Sequence, residues 1–269
     1  MKTDTIKTKQ VYSENKQNTV FLKEKEEEWF PINFQWIPVL KLNIQMNLKT
    51  NKMKNLFILP VLLLLIFMSS CSKETINGSG DLTSEYRTVA AFSKVDSEGV
   101  FDVIIRQGST QTLEITADDN IIQEIKTDVV NNELRLYLDD DNNYRHITSK
   151  INIVIPSINH IKNSGVGNIS IFDIDINDNF DVDNSGTGDI YIEGNAQSLN
   201  IKNEGSGKFE GFLFAIDDCN VNLIGTGDCK INCSNNLNVT IEGSGDVYYL
   251  GTPIIETDIT GSGKIVNSN

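Results

Sequence analysis

Carboxylates are the chemistry-bearing side chains that this sequence holds in quantity, 37 of them against 23 basic residues. Asp189, Asp228 and Asp246 each follow a Gly-x-Gly triplet. Two such acids held about 6.5–9.5 Å apart could flank a glycosidic bond and cleave it with inversion. An Asp beside a glycine turn is, however, ordinarily a solvated turn residue. His146 and His160 are too few and too far apart in sequence to suggest a zinc site. Asp139, Asp141 and Asn143 offer oxygen ligands for Ca²⁺, but their loop lacks the glycine and distal Glu of a hand-type site. No Gly-x-Ser-x-Gly elbow is present, and no base is placed to activate a serine. The expectation is therefore no catalytic residue, no metal and no cofactor.

One cysteine has a different chemistry in view. Met53-Lys54-Asn55 precedes an unbroken apolar run over 56–67. Twelve residues are short for a membrane-spanning helix and suit the apolar region of a signal peptide. Met68-Ser69-Ser70-Cys71 then resembles a bacterial lipobox, with Met where Leu is more usual. Residues 53–70 read as a lipoprotein signal peptide and Cys71 as the lipidation site, with 71–83 a polar linker. Residues 1–52 stand in front of a signal that operates at an N-terminus, so they read as an upstream extension from a misplaced start. The other cysteines, Cys219, Cys229 and Cys233, allow at most one disulfide. Cys229 and Cys233 are about 13 Å apart if extended, beyond bridging range. Cys219 and Cys229 could meet only across a sharp corner. The simplest reading makes all three small apolar core residues.

Charge is divided unevenly. From Cys71 onward there are 13 basic and 31 acidic residues, a net of −18. That argues against nucleic acid, which needs clustered Lys and Arg, and against adsorption on anionic lipid head groups.

A repeat supplies the architecture. Gly-x-Gly recurs at Gly165 and Gly167, Gly186 and Gly188, Gly205 and Gly207, Gly225 and Gly227, Gly243 and Gly245, and Gly261 and Gly263. The steps are 18–21 residues. Six residues before each first glycine stand Asn159, Phe180, Leu199, Cys219, Leu237 and Ile255; four before stand Ile161, Val182, Ile201, Val221, Val239 and Thr257. Four after come Ile169, Ile190, Phe209, Cys229, Val247 and Ile265. Polar residues alternate with these, which is the signal of strands buried on one side. Such units bury an apolar face only by stacking. The fold class expected is all-β, a parallel β-helix or β-solenoid over 156–269. Six coils at about 4.8 Å each span roughly 30 Å. The glycines would serve corners needing positive φ or close backbone approach. Two residues before the first three turns stand Asn163, Asn184 and Asn203, which predict an inward amide ladder bonded along the stack.

Residues 84–155 lack the repeat but remain β-rich. Strands are expected at 100–106, 113–117, 134–138 and 151–155, with a short helix at 121–125 capped by Asp118-Asp119-Asn120. These irregular coils should cap one end of the solenoid. Phe92-Ser93-Lys94-Val95, Gly99-Val100-Phe101-Asp102-Val103, Gln107-Gly108 and Leu113-Glu114-Ile115-Thr116-Ala117-Asp118-Asp119-Asn120 resemble the opening of the GIN domain, named as the head of auto-transporter adhesins in Bacteroidetes-type lipoproteins. The glycine array resembles its second half, so the likeness spans about 84–265. It implies a β-helical lipoprotein of the cell envelope, anchored by lipid, in the outer membrane. The corresponding function is an adhesin-like binding module for a glycan or protein. A structural envelope component without soluble ligand is the alternative. A carbohydrate-active enzyme is the third reading. Pectinase-type helices carry Asn-x-Asp, Asp-Asp, Gly-His-Gly and Arg-x-Lys on successive coils, and here only Asp217-Asp218 is present. The array holds no Arg.

Deleting codons 1–52 is expected to leave export and abundance unchanged, as read by cell fractionation and immunoblot. Loss from the envelope fraction would place the functional start upstream.

Overall fold

The structure, a computed structural model, describes residues 73–139 and 141–269, with the strands Val20–Lys23 and Trp29–Ile32 of the N-terminal part. The chain divides into two units, 1–70 and 71–269. Of the first unit, the described strands form one antiparallel pair, with Val20 opposite Ile32. The apolar run 56–67 and Cys71 lie outside the described residues.

The second unit is all-β in its described residues, a parallel solenoid. Ile169–Asn184, Ile190–Asn203, Phe209–Leu223 and Cys229–Ile241 each make one coil, and each pairs in parallel with the next. Val247–Leu250, Ile254–Ile259 and Ile265–Asn267 complete the stack. The period-two pattern explains the pairing. Phe180, Leu199, Cys219 and Leu237 fall opposite one another in adjacent coils, and all four are buried. So are Val182, Ile201, Val221 and Val239, and Ile169, Ile190, Phe209, Cys229 and Val247. A one-residue slip would turn every one of these outward. The register breaks twice within the first coil, between Ile171 and Ile174 and between Ile176 and Asn179. Each coil therefore has further bends besides the Gly-x-Gly corner. The first of them uses left-handed backbone at Asp173 (φ 61) and Gly194 (φ 130), and Gly251 (φ 96) lies over Cys233, just before the second.

At the Gly-x-Gly corners themselves the reason for glycine is space. None of the twelve has positive φ. A Cβ on Gly225 would lie 1.9 Å from the carbonyl oxygen of Gly205 in the coil below, and one on Gly207 would lie 2.0 Å from that of Gly188. The cause is the hydrogen bonding. The Ile224 and Gly225 amides both donate to the Asn203 carbonyl, at 2.9 and 3.0 Å, and the Thr226 amide donates to Gly205 at 3.0 Å. The ladder thus continues around the bend and brings successive backbones into contact.

The order of the first coils differs from the order of the chain. Lys94–Ser97 is flanked by Glu133–Leu138 on one side and His160–Asn163 on the other, both parallel. Asp102–Gln107 lies likewise between Ser149–Ile155 and Ile169–Asn184. The coil made of 94–107 is therefore second in the stack, and 133–155 lies outside it. Gly99 occupies the corner position below Gly165, and Phe101 that below Gly167, so the corner column begins one coil before the repeat does.

Antiparallel strands then close this end. Thr112–Asp118 pairs with Ser149–Ile155, Ile125–Val130 with Glu133–Leu138, and Leu82–Tyr86 with Thr112–Asp118. Two sequence expectations need correction here. The helix over 121–125 is a single turn, with the Ile121 and Ile122 amides on the Asp118 carbonyl. Asp118 does not go on to cap a helix; its carboxylate accepts the Gly80 and Thr148 amides, at 2.8 and 2.7 Å, and ties two loops together. Nor is the described part of 71–83 a linker: Glu74–Asn77 is a strand, paired in parallel with Asn142–Arg145.

Gly225→Ala is expected to lower the unfolding free energy of the full chain by about 1–3 kcal/mol, as overpacking does. Thr226→Ala, at the exposed centre of the same corner, should stay within about 0.5 kcal/mol. Denaturant unfolding of the two variants checks this, and equal effects would mean that the corner has room.

Candidate functional site

Two outer faces adjoin the Gly-x-Gly corner, and their side chains stand in columns because the coils are in register. On the face before the corner, the column five residues ahead of the first glycine is an amide ladder. Asn238 donates to Asn220, Asn220 to Asn200, and Asn200 to Asp181, each at 2.8 Å. Two positions further on, charges of opposite sign alternate from coil to coil: Arg135, Asp96, Lys162, Asp183, Lys202. Lys162 Nζ lies 2.5 Å from Asp96, and His160 Nε2 lies 3.1 Å from Asp183. Asp96 is almost wholly buried, and that burial pushes its carboxyl above the usual value although Lys162 pulls it back. The bond to Asp96 in turn raises Lys162. A shallow groove of about 440 Å³ runs over this face, past His160, Asp183, Lys202 and Asn222.

Asn163, Asn184 and Asn203 point inward and are buried, as the alternation predicts. Their bonding differs from the predicted ladder. Each amide donates to the carbonyl of the second turn glycine in its own coil and in the next: Asn203 reaches Gly207 at 2.9 Å and Gly227 at 3.3 Å. Asn184 and Asn163 repeat this one and two coils earlier. The side-chain ladder is instead the outer one through Asn200, Asn220 and Asn238. Its signal was present in the sequence as Asn at a constant five residues before Gly205, Gly225 and Gly243.

The acids considered for chemistry are engaged in the stack. Asp189 accepts the Lys208 amide at 2.8 Å, Asp228 the Asp246 amide at 2.9 Å, and Asp246 the Lys264 amide at 2.8 Å. Asp217 accepts Ser234, and Asp218 accepts Asn236. Among the described residues, no group of three or more His, Cys, Asp or Glu is placed to hold a metal ion. Cys219, Cys229 and Cys233 are free thiols in the core. Burial raises all three, Cys229 to about 12. Thiols so held are poor nucleophiles.

On the face after the corner, the columns five and seven residues past the first glycine carry aromatics. Phe172 and Tyr191 lie with ring centroids 5.6 Å apart, and Arg106 sits 4.5 Å over Phe172 while paired to Asp173. Glu210 stands next to Tyr191 in register, followed by Lys230 and Tyr248. Lys230 pairs with Glu210 at 3.0 Å and lies 5.9 Å over the Phe212 ring. All these rings are half-buried, and Leu213 beside them is exposed. Phe172 and Phe212, not singled out in the sequence, share this side through period-two alternation, two residues past Ser170 and Glu210.

A parallel β-solenoid, closed at one end by antiparallel strands and carrying stacked columns on its outer faces, is the class to which this molecule belongs. The family model described as "Putative auto-transporter adhesin, head GIN domain" matches residues 91–253, and the chain belongs to that family. The chain is similar in structure to a "putative adhesin" from Bacteroides fragilis NCTC 9343, with 27% identity and a TM-score of 0.61 over 71% of this chain and 99% of that one. It is also similar to a "putative adhesin" from Parabacteroides merdae ATCC 43184, with 19% identity and a TM-score of 0.49 over 73% of this chain and all of that one. No curated protein matches the chain.

Lys162→Met leaves the Asp96 carboxylate buried without its cation. Breaking a fully buried pair costs about 3–5 kcal/mol, and with Lys162 41% exposed the loss expected is about 1–3 kcal/mol near neutrality. The folded-state value of Asp96 lies above the unfolded 3.8. The penalty is therefore absent where both states are protonated and grows as pH rises through the folded value. Urea unfolding should show a larger loss at pH 7 than at pH 4. The same loss at both would mean that Asp96 is not the group responsible.

Proposed function

We propose that this chain is a lipid-anchored cell-envelope protein, processed at Cys71 and held in the outer membrane, whose solenoid is an adhesin-like binding module for a glycan or a protein. It is not an enzyme in this reading. Membership of the adhesin-head family supports the envelope role. The observation that carries the binding role is the face after the corner. Its half-buried rings at Phe172, Tyr191, Phe212 and Tyr248 line up along the stack and stay partly open to solvent, and partly exposed aromatics with a few charges are the usual makings of a recognition surface. The face before the corner uses its polar groups on itself. That self-satisfied ladder favours the second reading, a structural envelope component in which the solenoid acts as a spacer.

Two measurements test the proposal. Cys71→Ala is expected to abolish incorporation of labelled palmitate and to leave an unprocessed precursor; unchanged labelling would remove the anchor. Cells displaying the chain with Tyr191→Ala and Tyr248→Ala together should lose most adhesion to a glycan- or protein-coated surface that the unmodified chain supports. Adhesion that is absent with the unmodified chain would favour the spacer reading.

A further inference from the structure

Resting on the binding reading above, the geometry points to one ligand class: we infer that the face after the corner takes a neutral, extended glycan chain, laid across the coils along the solenoid axis. Successive coils rise about 4.8 Å, close to the length of one pyranose unit in an extended chain. A polymer lying along the axis therefore meets an equivalent column position at every sugar. In the order of the stack, the stripe presents Phe172 and Tyr191, then Glu210 and Phe212, then Lys230, then Tyr248.

Each part has a use for sugars. Tyr191, half-buried and 5.6 Å from Phe172, offers an apolar ring to the C–H face of a sugar, while Phe172 is covered on one side by Arg106 and supports it from below; Tyr248 offers a second ring three coils beyond Tyr191. Between them the Glu210–Lys230 pair, at 3.0 Å, offers acceptors and donors to hydroxyls in mid-stripe. Charge decides against acidic polymers. Both cations of the stripe are already neutralised, Arg106 by Asp173 and Lys230 by Glu210. The chain from Cys71 onward carries −18, so a polyuronate or a phosphate polymer is repelled over the whole approach. Topology decides against an added peptide strand. The stripe lies on the flat of a sheet whose backbone groups are paired above and below, which leaves no free edge for strand addition.

Titration calorimetry of the full chain tests this with five probes: cellohexaose, maltohexaose, cellobiose, maltose, and a hexameric oligogalacturonate. The expected result is that at least one neutral hexasaccharide binds at least tenfold more tightly than its disaccharide and than the anionic hexamer. Tyr191→Ala and Tyr248→Ala, each with an unchanged circular dichroism spectrum, should weaken it by about three- to tenfold. Should either variant fail to fold, saturation-transfer NMR on the unmodified chain replaces it, with transfer expected from aromatic protons to sugar C–H protons of successive units. The inference is overturned if neither neutral hexasaccharide binds, if length makes no difference, if the anionic hexamer binds more tightly, or if the folded variants bind as the unmodified chain does. Loss of adhesion to a protein-coated surface on Tyr191→Ala and Tyr248→Ala, with no oligosaccharide bound, would overturn the glycan assignment while leaving the binding module in place.

Discussion

At the Gly-x-Gly corner the carbonyl of one coil lies where the β-carbon of the next would have to be. Gly186 over Gly165, Gly205 over Gly186, Gly225 over Gly205 and Gly243 over Gly225 all show approaches of 1.9–2.1 Å to that missing atom. The contact follows from keeping backbone hydrogen bonds through a bend, since a buried corner with unpaired amides would be costly. Its consequence is a fixed register. Every coil must start its next flat run from the same place, so residues at equal offsets from the glycine fall into columns. The insertions that change the coil length from 18 to 21 residues are absorbed at the other bends, where the pairing register shifts.

The columns account for both the stability and the surface. Inward ones are filled with Ile, Val, Leu, Phe and Cys, and they merge into one continuous core. Where the inward column before the corner holds Asn, the amide is spent on glycine carbonyls that already face one another across coils; where it holds Leu223 or Ile241, the site is simply apolar. Outward, side chains are repeated about every 4.8 Å, close enough for amides and carboxylates to bond along the stack. This explains why so acidic a sequence tolerates its charge at close quarters. Asp189, Asp228 and Asp246 accept backbone amides from the following coil, Asp96 faces the Lys162 ammonium, and Asp183 lies against the His160 ring. The same repetition makes a line of rings on the face after the corner, which is a surface suited to a ligand that is itself periodic.

Much of this was legible in the residues. Period-two alternation and constant offsets from glycine located the core columns from Ile161 to Val247, while in the last coil Thr257 and Ile259 are exposed. The parts that were not legible depend on contacts distant in sequence. Nothing local says that 94–107 inserts between 133–155 and the array. The turn between Ile125–Val130 and Glu133–Leu138 has Asn131 and Asn132 at φ 52 and 66, a two-residue hairpin that the Asn-Asn pair suits. The local propensity for a helix at 121–125 yielded to the antiparallel cap around it. At the candidate site the rings lie where strand alternation puts them. Phe172 stands two residues past Ser170 on the same outward side and before the bend that Asp173 and Gly194 mark, so alternation alone places it there.

Native-state hydrogen exchange on the full chain, resolved to single amides, tests the close-contact corner most directly. The account predicts that the corner amides of Ser185, Glu204, Ile224 and Glu242, although in exposed turns, are protected as strongly as the neighbouring strand amides of Val182, Ile201, Val221 and Val239, because each donates to the coil below. Corner amides that exchange orders of magnitude faster than those strands would contradict it, since the coils would then be joined only along their flat runs and the glycines would be ordinary loop residues.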